Sequence, residues 1–128
     1  MAMRASPEHL ARVVLIDDEE RVRRDVGGWL SSLGYEVRSF DDARAALEAL
    51  RREPADVVIA GGHVHDITAV DLCASIRGAS ASVPGIVGLV SAHAGAGGDD
   101  PFDVVVRRPC PNDALLTAIS SVFRHAQR

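Results

Sequence analysis

Apolar residues fall in short bursts separated by polar stretches of helical length. Val13-Val14-Leu15-Ile16 is a continuous apolar run, the mark of a strand buried on both faces. It stops at Asp17-Asp18-Glu19-Glu20. Val22, Val26, Trp29, Leu30 and Leu33 then recur at helical spacing, which predicts an amphipathic helix closed by Gly34 as a left-handed cap. Gly27 and Gly28 inside that helix each cost on the order of 1 kcal/mol relative to alanine. The pattern gives no reason for them.

Tyr35 to Phe40 alternates as a strand does, and Asp41 or Asp42 is placed to cap a helix with the stripe Ala43, Ala46, Leu47 and Leu50. Pro54 marks the way out. Val57-Val58-Ile59-Ala60 is a third strand, ending at Gly61-Gly62. A loop with His63, His65 and Asp66 leads to a helix carrying Val70, Cys73, Ala74 and Ile76. Gly85 to Val90 and Val104 to Val106 read as the fourth and fifth strands. Pro111 suits the first position of a last helix, whose face is Leu115, Ile119, Val122 and Phe123. Between strands four and five, Ala92 to Pro101 has three glycines and no apolar stripe, which predicts irregular backbone rather than a helix. Strands alternating with helices call for an α/β domain with a parallel sheet covered on both sides by right-handed crossovers. Residues 1–11 lack periodicity and read as a leader or linker, so the domain spans residues 12–128.

Composition narrows the classes. Apolar residues make up 47% and charged residues 25% of 128, an ordinary globular balance for one domain. The net charge of −4 and the scattered arginine pairs argue against nucleic acid as a partner. No apolar run approaches the roughly 20 residues of a membrane span. Cys73 and Cys110 imply neither a disulfide framework nor a metal site, which suits a cytoplasmic protein. His63, His65 and Asp66 have loop spacing compatible with a metal, but they lack a third strong ligand.

An apolar strand ending in Asp17-Asp18, an amphipathic helix, then Gly34-Tyr35-Glu36-Val37 resembles the receiver domains of two-component response regulators, from Arg12 to about Phe123. The resemblance implies a flavodoxin-like, doubly wound five-stranded parallel sheet in the order 2-1-3-4-5. It also implies a phosphorylation site at the carboxyl ends of the strands, where an acidic pair helps hold magnesium beside an acceptor aspartate. The acceptor follows an aspartate and four mostly apolar residues. Asp56 and Val57 to Ala60 match that run, and the acceptor position is Gly61, which has no nucleophile. Ser91 matches the family's hydroxyl, Arg108 stands where the family has a lysine, and Val105 takes the place of the switch aromatic. The family's fourth helix is degraded here. Four departures together make this a pseudo-receiver.

The expectation is therefore a module that is not an enzyme. It has no cofactor and at most weak magnesium binding at Asp17 and Asp18, and it acts on a signalling protein such as a histidine kinase, either free-standing or within a hybrid histidine kinase. A rival reading makes Asp66 or Asp17 a displaced phosphoacceptor, and a third gives Ser91 and Arg108 a small anion or nucleotide. Two geometric expectations go with this: a cis Arg108–Pro109 bond, and an Arg108 guanidinium within hydrogen-bond reach of Asp17 or Asp18.

Overall fold

Five strands form one parallel sheet. β1 (Arg12–Ile16), β2 (Glu36–Phe40), β3 (Val57–Gly61), β4 (Gly85–Ser91) and β5 (Val104–Arg108) lie in the order β2-β1-β3-β4-β5. This computed structural model describes residues 11–61, 64, 67–79, 82–91, 101–108 and 112–126. Four helices occur among them: α1 (Glu20–Ser32), α2 (Ala43–Arg52), α3 (Ala69–Ala79) and α4 (Asn112–Ala126). The degraded segment expected between β4 and β5 falls mostly on residues 92–100, outside the described residues, as do the two loop histidines, Asp66, Pro109, Cys110 and Pro111.

Alternation along each strand builds two cores, one on each face of the sheet. Val13 and Leu15 of β1, Val57 and Ile59 of β3, and Val87 and Leu89 of β4 pack under α1 and α4, against Leu30, Leu115 and Ile119. Val14, Ile16, Val58, Ala60 and Ile86 face the other way, against Ala46 and Leu50 of α2 and Leu72, Cys73 and Ile76 of α3. Because both faces are covered, the central strands read as unbroken apolar runs.

Local signals resolve where the sequence left choices. Asp42, not Asp41, caps α2: its Oδ1 accepts the Ala45 N–H at 2.8 Å. Gly34 ends α1 with φ 106°, the left-handed geometry. Gly27 is buried where α1 crosses the sheet, and a Cβ there would lie 3.2 Å from Ser39 Oγ and 3.7 Å from Leu15 Cδ2. That close approach supplies the reason for a glycine at this point; Gly28 is exposed, with open space around it.

Three helical assignments need correction. Val70 is 58% exposed and Ala74 is exposed, so the inner face of α3 is Leu72, Cys73 and Ile76. An apolar residue in the first turn of a helix can point past the end of the sheet. Leu33 is likewise 42% exposed, because it is the C-cap, one step beyond the packed part of α1. Among the described residues, no helix is long and apolar enough to cross a membrane.

Candidate functional site

Parallel strands bring their carboxyl ends to one edge of the sheet, and the residues singled out from the sequence lie along it. Asp17 and Asp18 follow β1, Gly61 ends β3, and Ser91 and Arg108 end β4 and β5 as register partners. Asp56 stands at the opposite edge. Its Oδ2 accepts the Arg12 N–H at 2.9 Å, so it ties β3 to β1 and is not part of the site.

The two aspartates are not equivalent. Asp18 is partly exposed, whereas Asp17 is turned inward, 3% exposed, and is the one buried charged residue among those described. Asp17 Oδ1 accepts the Glu19 N–H at 2.9 Å. The main chain is fixed too, since the Asp17 N–H donates to Phe40 O at 3.1 Å and Arg23 Nη1 donates to Asp17 O at 2.8 Å. The other oxygen lies over Gly61. A Cβ built on Gly61 would overlap Asp17 Oδ2 and sit 2.6 Å from Asp17 Cγ. The Asp17 carboxyl group thus fills the space a side chain at position 61 would need.

Burial raises the pKa of Asp17 above its ordinary 3.8; the Glu19 N–H and the Arg108 charge oppose this, and Asp18 and Glu19 add to it. The sign for stability follows from linkage. A carboxyl whose folded pKa is raised favours the fold below its unfolded value, near 3.8, and loses that contribution as pH climbs through the folded value. Asp17→Asn keeps the shape and cannot titrate. Its stability relative to the native chain is expected to rise with pH across that window and then level off, as read by urea unfolding from about pH 3 to about pH 7. A difference that is flat or falls with pH would remove the buried-carboxylate assignment.

Arg108, at the end of β5, reaches Glu19. Its Nη1 lies 3.8 Å from Glu19 Oε1, an ion pair that is partly exposed and therefore weak. Toward Asp17 it acts through charge. Its Nε is buried and lacks a hydrogen-bond partner among the described residues. Glu19 and Arg23 were missed as site residues. Glu19 looks like helix-start chemistry, and Arg23 looks like one of many surface arginines. Val105, at the switch position, is partly buried.

No group of three or more His, Cys, Asp or Glu side chains that could hold a metal ion occurs among the described residues. Burial pushes the Cys73 thiol up to about 11, so at neutral pH it is a protonated core residue. A groove of about 410 Å³ runs between β5 and α4, lined in part by Val104, Val106, Ala114 and Thr117.

Comparison with known proteins agrees with this geometry. The chain is 29% identical over 117 residues to the C4-dicarboxylate transport transcriptional regulatory protein DctD of Pseudomonas aeruginosa, a match covering 84% of this chain and 24% of that protein. The chain therefore spans about a quarter of the length of this curated relative. Among solved structures, a response regulator receiver domain protein from Clostridium thermocellum superposes with a TM-score of 0.77 at 19% identity, covering 92% of this chain and 98% of that one. The chemotaxis response regulator CheY4 of Vibrio cholerae superposes at 0.75 and 22%, covering 88% and 98%. At such identities these two likenesses speak for the fold. The response regulator receiver domain model matches residues 13–97, so the chain belongs to the receiver domain family of two-component response regulators.

Proposed function

We propose that this receiver domain signals by binding a protein partner and does not take up phosphate. The carrying observation is Gly61 at the end of β3 with the Asp17 carboxyl group lying over it. A receiver forms an acyl phosphate by in-line attack of a carboxylate oxygen, and that requires a nucleophile at the acceptor position. Asp17 is a poor substitute. It is 3% exposed, one oxygen is held by the Glu19 N–H, and the other is packed against Gly61. A serine hydroxyl is by itself a weak nucleophile that needs an activating base. Asp66 lies outside the described residues.

The residues present do not fit a magnesium ion well. The acceptor carboxylate is missing, Asp17 is turned into the protein, and Asp18 alone is a thin site for an ion that releases water reluctantly. Weak divalent-cation binding, no cofactor and no catalytic activity complete this reading. The partner is a signalling protein of the two-component type, a histidine kinase or an assembly that contains one, which places the domain in the cytoplasm. The DctD relative is a transcriptional regulatory protein, and this chain matches a quarter of it, so the setting is either a longer regulator, a hybrid histidine kinase or a free-standing domain.

Incubation with acetyl phosphate and magnesium, followed by intact-mass measurement, is expected to show no gain. A stoichiometric gain of one phosphoryl group would sink the proposal. Its location on Asp17 or Asp66 would then identify a displaced acceptor.

A further inference from the structure

The ladder between β4 and β5 begins at Val87 beside Val104, and the residues just before it are held in another way. The Asp103 N–H donates to Ile86 O at 2.9 Å, as a strand residue's would. In a parallel ladder continued by one step, the Ile86 N–H would then donate to the Pro101 carbonyl. It donates instead to a side chain, Asp103 Oδ2 at 2.8 Å. The Pro101 carbonyl accepts from another side chain, Arg77 Nη2 at 2.8 Å, which comes from the last turn of α3. Arg77 and Asp103 thus take the two halves of one diverted ladder bond. They also face each other, with Arg77 Nη2 3.4 Å from Asp103 Oδ1.

Between these two anchors lies Phe102. Its ring rests on Gly88 and packs against the core cluster under α2 and α3. Residues 101–103 therefore cross the α3 side of β4, fastened at one end by Arg77, at the other by Asp103 and in the middle by an aromatic ring. Asp103 is exposed, and Pro101, Phe102 and Arg77 are only partly buried. The strands beneath are different: Ile59, Ile86 and Val87 are fully buried. Segments held by exposed side-chain bonds belong to the part of a protein that opens at least cost.

We propose that residues 101–103 form a latched strap over β4, with Arg77 as the latch, and that the strap opens as a unit while the rest of the domain stays folded. Opening frees the N–H and C=O of Ile86 and uncovers the bare backbone of Gly88. β4 then presents an unpaired strand end beside an apolar face. Because the latch belongs to α3, a displacement of the last turn of that helix is transmitted to the entry of β5. This device goes beyond the function proposed above and takes nothing from the reading of position 61.

The test is native-state hydrogen exchange on the full chain, at urea concentrations below the unfolding transition. After correction for intrinsic rates, the Ile86 amide is expected to exchange at least about tenfold faster than the Ile59 amide of the central strand. Its rate is expected to depend little on urea, whereas the Ile59 rate follows global unfolding. Arg77→Ala is expected to speed Ile86 exchange by at least about fivefold, since a charge-assisted bond present in the closed strap is lost. Glu53→Ala is the control. Glu53 pairs with Arg12 and Arg38 away from the strap, so its loss speeds Ile59 exchange and leaves Ile86 within about twofold, because those pairs persist when only the strap opens. An Ile86 amide that exchanges at the Ile59 rate with the same urea dependence, or that responds equally to the two variants, would overturn the proposal. Should Arg77→Ala fail to fold, the urea series on the native chain decides alone.

Discussion

Gly88→Val is expected to cost this domain about 1–3 kcal/mol, and Phe102→Ala is expected to recover most of that cost. Gly88 sits in the middle of β4, and the Phe102 ring lies on it. A Cβ at Gly88 would be 2.5 Å from Phe102 Cγ and 2.7 Å from Cε2. The ring cannot simply lift away, because its backbone is held on both sides. Arg77 Nη2 donates to Pro101 O at 2.8 Å. The Asp103 N–H donates to Ile86 O at 2.9 Å, and Asp103 Oδ2 accepts the buried Ile86 N–H at 2.8 Å. Lifting the ring would strain three hydrogen bonds that hold the entry to β5.

Phe102→Ala alone should cost less than the roughly 3–5 kcal/mol of a fully buried phenylalanine, since the ring is partly exposed. In that background the valine methyl groups have room. The double variant is expected to lie within about 0.5 kcal/mol of Phe102→Ala alone, measured by urea unfolding at constant slope. Additive costs would show that valine at 88 is disfavoured for reasons unrelated to the ring.

This contact also marks where reading the sequence fell short. Gly88 interrupts an otherwise apolar strand, and a glycine within a strand signals close approach by another group. That signal does not say which group approaches. Phe102 is 14 residues away across a segment without periodicity, so nothing local points to it. The fold was far more legible, since β1, β3 and β4 are buried on both faces and their apolar runs are nearly unbroken. The ends of elements were less so: Val70 and Leu33 keep helical spacing yet lie where α3 and α1 leave the sheet.

At the site, register alone carried Asp17, Gly61, Ser91 and Arg108 to one edge, because strand ends in a parallel sheet are fixed by the chain pattern. What register could not give was direction. Asp17 and Asp18 look alike in sequence, and only the turn after Ile16 decides which of them is turned inward. Arg108 was expected to meet that pair. Its Nη1 lies 3.8 Å from Glu19 Oε1, the next residue along, which the sequence had not singled out.

Ile59→Ala is expected to be among the most damaging single truncations, at about 2–5 kcal/mol. Ile59 is fully buried in β3, the centre of the sheet, paired with Leu15 on one side and Val87 on the other. Its side chain faces α1 and α4, within the cluster that holds Leu30 and Ile119. Two properties set the size of the effect. The transfer free energy of the lost methyl and methylene groups disappears outright. The cavity then persists, because strands hydrogen-bonded on both sides cannot slide inward to fill it. For a domain whose whole stability is about 5–15 kcal/mol, such a loss brings the unfolded state into view near room temperature or slightly above. Leu33→Ala offers the contrast, because Leu33 is 42% exposed at the helix cap and its loss is expected to stay within about 0.5 kcal/mol. Thermal and urea unfolding of the two variants side by side would decide the matter. Comparable losses would mean that the face under α1 and α4 does not carry the stability assigned to it. A large loss for Ile59→Ala beside a small one for Leu33→Ala would show that the central strand under α1 and α4 carries the stability.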